Sequence, residues 1–186
     1  MAAEAISGET VDERRVLEAC LAKQRREFVN SNASLFRNTT VVELGAGATG
    51  IPGIVASKCG AELVILTEHP HNQQALDLLK LNCIRNALRD SSFLVQGLDW
   101  ESIPAIDSLL DQLHHLDFIL AADVFYDPKV FESLVAAIAH IVDRFTSAQC
   151  FFTYEERELV CRFSFLHVVK LHISREIAYF VVFGDR

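Results

Sequence analysis

Gly45, Gly47 and Gly50 follow the run Val41-Val42-Glu43-Leu44 and satisfy the spacing G-x-G-x-x-G. The run reads as a buried strand that stops at a glycine turn and enters a helix at Ile51. Such a turn brings bare backbone N–H groups up to a nucleotide-like ligand, so a nucleotide or nucleoside cofactor is the first chemical reading. Glu43 sits at the end of that strand, and Glu68, Asp99 and Asp123 fall at the expected ends of three later strands. Ligands of open α/β sheets bind beyond the carboxyl ends of the strands, where all four acids would converge. Each also has a local use. Asp99 could cap a helix beginning near Glu101, and Asp123 or Asp127 could cap the helix that follows them.

The acids discriminate between cofactors. Glu68 lies 18 residues beyond Gly50, close to the offset of about 20 residues at which a carboxylate accepts ribose hydroxyls. Glu43 stands where a phosphate-binding loop avoids negative charge, so a pyrophosphate would be repelled and a cationic cofactor favoured. S-adenosylmethionine carries a sulfonium and an ammonium and no phosphate. Trp100 offers an apolar wall for adenine and Asp99 an acceptor for its exocyclic amine, although Trp100 also suits plain core packing.

Positioning these residues requires alternating strands and helices. Val16, Leu17, Cys20, Leu21 and Phe28 recur at helical spacing and predict an amphipathic helix over Val11 to Ser31. Asn30 to Asn38 connects it to a strand at Thr40 to Leu44. The next helix carries Pro52 in its first turn and ends near Cys59, with Gly60 just past it. Strands are predicted at Glu62 to Thr67, Phe93 to Gln96, Asp117 to Ala122 and Ala148 to Thr153. Helices intervene at Gln73 to Asn86, through Leu109, Leu110 and Leu113, and along the stripe Phe131 to Phe145. Phe165 to Ile173 and Ile177 to Phe183 read as a terminal hairpin turning at Ser174-Arg175-Glu176, which forces antiparallel pairing. The pattern predicts a layered α/β fold, with residues 1–10 frayed and residues 11–186 one domain.

Composition narrows the class. With 51% hydrophobic and 23% charged residues the chain is not of a disordered type. Its 17 basic against 25 acidic residues give a net charge of −8, which opposes direct nucleic-acid binding and attracts basic partners. Cys20, Cys59, Cys83, Cys150 and Cys161 are widely spaced and read as free thiols of a reducing compartment. Met1 to Thr10 has neither a basic nor an apolar segment, so no signal peptide is expected. No apolar stretch suggests a membrane span. The seven histidines show no ligand spacing, and no metal site is expected. Cytoplasm and nucleus are the expected locations.

Several segments together resemble a known family. VVELGAGATGIPGIVASKCGAELVILTE, the LKLNC-x-x-N helix, GLDW and LDFILAADVFY are similar to the methyltransferase-like proteins of family 16, protein lysine and arginine methyltransferases dependent on S-adenosylmethionine. Asp123 to Tyr126 matches that family's D-x-x-Y, and Thr153 to Arg157 (TYEER) is similar to its motif ending strand five. The resemblance covers about residues 16 to 157. It implies a Rossmann-like seven-stranded methyltransferase sheet, mostly parallel, closed by the C-terminal antiparallel hairpin. It assigns Glu43, Gly45 and Gly47 to the methionine part and loop, Glu68 to ribose, Asp99 and Trp100 to adenine, and Ala122 to the cofactor's edge. Asp123 and Tyr126 fall at the catalytic junction with substrate.

The implied reaction is methyl transfer to a basic side-chain nitrogen of a protein, with arginine of a histone or another basic protein favoured over lysine. Asp123, Glu155 or Glu156 would offset repulsion between a cationic acceptor and the sulfonium, although an EER run is usually solvated surface. Two departures concern the acceptor side. The family's upstream Trp-Pro pair is missing, and only 11 residues separate Thr153 from Phe165. A shortened, catalytically weak interaction module is therefore the alternative. A nicotinamide-dependent oxidoreductase shares the glycine fingerprint, but Glu43, the terminal hairpin and the lack of a second nucleotide-binding half oppose it.

Overall fold

Strand β1 (Thr40–Leu44) is buried along its whole length, and its alternate side chains feed two different cores, as a pleat of period two requires. In the computed structural model, residues 33–124, 128–155 and 178–183 are described. The remaining elements are α1 (Ile51–Lys58), β2 (Leu63–Glu68), α2 (Gln73–Arg85), β3 (Phe93–Gly97), α3 (Ile103–Leu110), β4 (Phe118–Ala122), α4 (Phe131–Arg144), β5 (Gln149–Glu155) and β6 (Ala178–Phe183). The sheet order is β3-β2-β1-β4-β5-β6, and every neighbouring pair is parallel. The chain builds outward from β1 to β3 and then restarts beside β1 with β4. That reversal opens a crevice at the carboxyl ends of β1 and β4.

One core layer joins Val42, Leu44, Ile65 and Ile119 to Ile106 and Leu109 of α3 and to Leu134, Ile138 and Ile141 of α4. The other joins Val41, Val64, Leu66 and Leu120 to Ile54 of α1 and to Leu79 and Cys83 of α2. Phe36, in a short 3-10 turn at Ala33–Phe36, is fully buried and stacks at 5.2 Å on Phe118. The sequence reading had this stretch only as a connection.

Helix ends follow the residues available. Past α1, Gly60 takes φ 103. The N–H of Ala61 donates to the Ala56 carbonyl at 3.1 Å and that of Gly60 to the Ser57 carbonyl at 3.0 Å, a Schellman closure. Past α2 the same closure is made with Ala87 at φ 53, Leu88 N–H donating to Cys83 and Ala87 N–H to Ile84. The cap of α3 is Ser102, whose side chain accepts from Ala105 N–H, and not Asp99. Nor does Asp123 cap α4, whose N-cap residue is Val130; Asp127 lies outside the described residues.

Of the expected terminal hairpin, Ala178–Phe183 is a strand, and it pairs parallel with β5, Cys150 opposite Ala178 and Thr153 opposite Val181. The expected antiparallel arm, Phe165 to Ile173, and the helix expected over Val11 to Ser31 lie outside the described residues. Six strands are described where the resemblance implied seven. Among the described residues, no helix is long and apolar enough to cross a membrane.

Candidate cofactor site

A cavity of about 420 Å³ opens at the crevice between β1 and β4, within the size range of small-molecule sites. Glu43, Gly45, Gly47, Glu68, Trp100, Ala122 and Asp123 all line it. Sequence reasoning had named each of them. Thr49, Pro52, His69, Asn72, Leu98 and Val124 also line it and had not been assigned to the site.

The three glycines have different spatial reasons. A Cβ on Gly45 would stand 2.7 Å from Val124 Cγ1 and 3.3 Å from Trp100 Cζ2, so this glycine lets the loop rest on the opposite wall. A Cβ on Gly50 would run into Leu79 Cδ1 and Leu66 Cδ2, so this one lets α1 close onto α2 and the sheet. Gly47, at φ 60, would meet nothing within 4 Å; it borders the open cavity and leaves a cradle for a ligand to approach the backbone.

Glu43 is only 2% exposed. The alternation of β1 points it to the side covered by α1, where a carboxylate needs a partner. Its Oε2 accepts from Gly53 N–H at 2.8 Å, in the first turn of a helix whose N-cap, Gly50, has no side chain to do so. The carboxylate thus caps α1 from a neighbouring strand and meets the positive end of the helix. A cofactor phosphate at this N-terminus would face that charge, so the site suits a phosphate-free, cationic group better than a dinucleotide. The nearby negative charge is felt by Cys83, whose thiol is pushed up to about 11 by burial and, second, by Glu43.

Glu68 Oε2 accepts from Gly47 N–H at 2.9 Å, joining the end of β2 to the cradle. A carboxylate accepts at both oxygens, so Glu68 retains capacity toward ligand hydroxyls. Trp100 is half-buried and packs on the α3–α4 core while lining the cavity. Asp99 differs. Its Oδ1 accepts from Glu101 N–H at 3.0 Å in a local turn, and it is not among the lining residues. Asp123, directly after β4, takes φ 60, a left-handed conformation that most side chains avoid and that Asp and Asn tolerate better than others. Tyr126 and Glu156 lie outside the described residues, and the side chain of Glu155 is not described.

Among the described thiols, burial raises the pKa of Cys59 and pushes Cys150 up to about 12. Among the described residues no cluster of three or more His, Cys, Asp or Glu could hold a metal ion.

A family model described as lysine methyltransferase, of methyltransferase family 16, matches residues 11–171. The chain belongs to this family. The cradle at Gly47, the carboxylate of Glu68 beside it and the capped helix above fit the family's cofactor, S-adenosylmethionine. The histone-arginine methyltransferase METTL23 of Xenopus laevis is 38% identical over 117 residues, 63% of this chain and 47% of the relative. The protein N-lysine methyltransferase METTL21A of Xenopus tropicalis is 30% identical over 156 residues, 82% of this chain and 66% of the relative. This member of the family thus spans about half the length of the METTL23 relatives it matches. The crystal structure of PRMT6-SAH shares its fold, with a TM-score of 0.50 at 17% identity over 68% of this chain and 38% of that one.

Proposed function

We propose that this chain transfers a methyl group from S-adenosylmethionine to a basic side-chain nitrogen of a protein, arginine of a histone or similar basic protein before lysine. The carrying observation is the pairing of Gly47 N–H with Glu68 Oε2 at the rim of the cavity, opposite Asp123. Arginine is favoured by the name of the METTL23 relatives. Lysine, the second reading, is favoured by the family description and by METTL21A.

The bound cofactor supplies the electrophilic methyl group. In this reading Glu68 accepts from the ribose hydroxyls, Trp100 walls the adenine, Asp99 accepts from the adenine amine through Oδ2, its Oδ1 being taken by Glu101 N–H, and Ala122 borders the cofactor's edge. Asp123 and Tyr126 hold the acceptor nitrogen, and the Asp123 carboxylate, with Glu155 or Glu156 as other candidates, offsets repulsion between acceptor and sulfonium. A seventh strand at Phe165 to Ile173, an antiparallel hairpin and residence in cytoplasm and nucleus belong to the same proposal. No direct contact with nucleic acid or membrane is proposed.

The test has two stages. Calorimetric titration should give binding of S-adenosylmethionine and none of NAD, with Glu68→Ala weakening affinity about thirtyfold, the worth of a hydrogen bond to a charged group. Binding of NAD alone would sink the reading. Labelled cofactor, histones and mass spectrometry of the product should then locate methylarginine. Methyllysine would replace the acceptor; cofactor binding without transfer would favour the interaction module.

A further inference from the structure

The LKLNC-x-x-N helix has a use that the cofactor assignments leave unexplained. Asn82, half-buried on α2, donates from Nδ2 to the carbonyl of Ala48 at 2.8 Å, across 34 positions of sequence. Ala48 lies in the glycine loop, between the cradle at Gly47 and the start of α1. The loop's other ties come from the end of β2 and from the loop itself. Ala46 N–H donates to the Thr67 carbonyl at 2.8 Å and Gly50 N–H to the Ala46 carbonyl at 3.0 Å, while Gly47 N–H donates to Glu68. Residues with left-handed φ, Gly47 at 60 and Gly50 at 55, flank the Ala48–Thr49 peptide. Glycines on both sides leave the Ala48–Thr49 segment freer to change conformation when it is not tied.

A trans peptide is planar, so holding the Ala48 carbonyl toward α2 also fixes the direction of the Thr49 N–H. Thr49 lines the cavity. We propose that Asn82 is a positioning residue for the cofactor: it locks the Ala48–Thr49 peptide and preorganises the loop without touching the ligand. The inference rests on the S-adenosylmethionine reading above. The second asparagine of the motif has a separate task. Asn86 Nδ2 donates to the Asn82 carbonyl at 2.8 Å at the exposed end of α2, so its loss disturbs the helix end and leaves the Ala48 bond in place.

Asn82→Asp removes the donor at constant size, and Asn86→Ala serves as the matched control. S-adenosylhomocysteine is titrated into the wild type and both variants, each also melted without ligand. Asn82→Asp should weaken binding about tenfold, the upper range for one hydrogen bond. Asn86→Ala should lower the melting temperature while keeping affinity within about twofold. Amide exchange without ligand should quicken at Gly47 to Gly50 in Asn82→Asp more than along α2. If Asn82→Asp melts too early to titrate, Asn82→Ser, which loses the reach and adds no charge, replaces it. Unchanged affinity and loop exchange in the Asn82 variant would overturn the inference, as would an equal loss of affinity in Asn86→Ala. Absence of binding by the wild type would instead overturn the cofactor reading itself.

Discussion

In the loop that forms one wall of the cavity the left-handed positions are glycines, Gly45, Gly47 and Gly50 at φ 65, 60 and 55; on another wall Asp123 takes φ 60 with a charged side chain attached. Glycine adopts this region freely, whereas another residue forfeits about 1 kcal/mol or more to stay there. The loop is also tied to β2 and α2 through Thr67, Glu68 and Asn82. The glycine wall is therefore relaxed and cross-braced. The Asp123 wall keeps a left-handed residue at a greater backbone cost than glycine's. The two walls meet where Gly45 rests against Val124 and Trp100.

The glycine wall should break first under added volume. Gly50→Ala combines a left-handed Cβ with overlap against Leu79 and Leu66, so a loss of about 3 kcal/mol is expected. Denaturant melts check it, and a loss below about 1 kcal/mol would mean that the helix and sheet are not in close contact there. On the Asp123 wall, Asn tolerates the same backbone, so with the proposed role of Asp123, Asp123→Asn should melt like the wild type yet transfer methyl groups about thirtyfold more slowly. Unaltered transfer would reduce Asp123 to a structural turn.

A smaller change separates strain from function. Ala87 closes α2 at φ 53, away from the cavity. Ala87→Gly should raise stability by about 1 kcal/mol with no change in cofactor affinity. A loss of affinity would show that left-handed residues outside the cavity also matter to it.

The smallest effect, absent at neutral pH, compares the two core layers. Folding holds the Cys83 thiol protonated up to about 11, against an ordinary value of 9.0. The folded state therefore binds a proton that the unfolded state releases between those values, so stability falls as pH rises through that window. Cys150, in the opposite layer, resists up to about 12. Alkaline melts of Cys83→Ala should fall less steeply between pH 9.0 and about 11 than the wild type. Equal slopes would remove Cys83 as the source.

Much of the frame was legible in the sequence because its causes are local. Thr40 to Leu44 is a strand over the residues the apolar run predicted, and Gly60 ends α1 because a left-handed C′ position suits glycine. The alternation of strands and helices also foretold which acids would approach one another. Asp99 shows the limit. Its position matched a ligand acceptor and a turn equally, and the fold turns its Oδ1 to Glu101 N–H. The parallel placement of β6 beside β5 was hidden for a related reason: which sheet edge an apolar run joins is decided by packing and not by the run itself.

By itself the sequence determined the turn at Gly45 to Gly50, the strand ends carrying Glu43, Glu68 and Asp123, and the family to which the chain belongs. Those are properties of backbone preference and spacing, felt within a few residues. Only the tertiary structure decided that Glu43 caps α1 at Gly53, that Glu68 meets Gly47 across 21 positions, and that Asn82 reaches Ala48. A polar side chain chooses its partner among whatever packing brings within about 3 Å, and no local pattern encodes that choice.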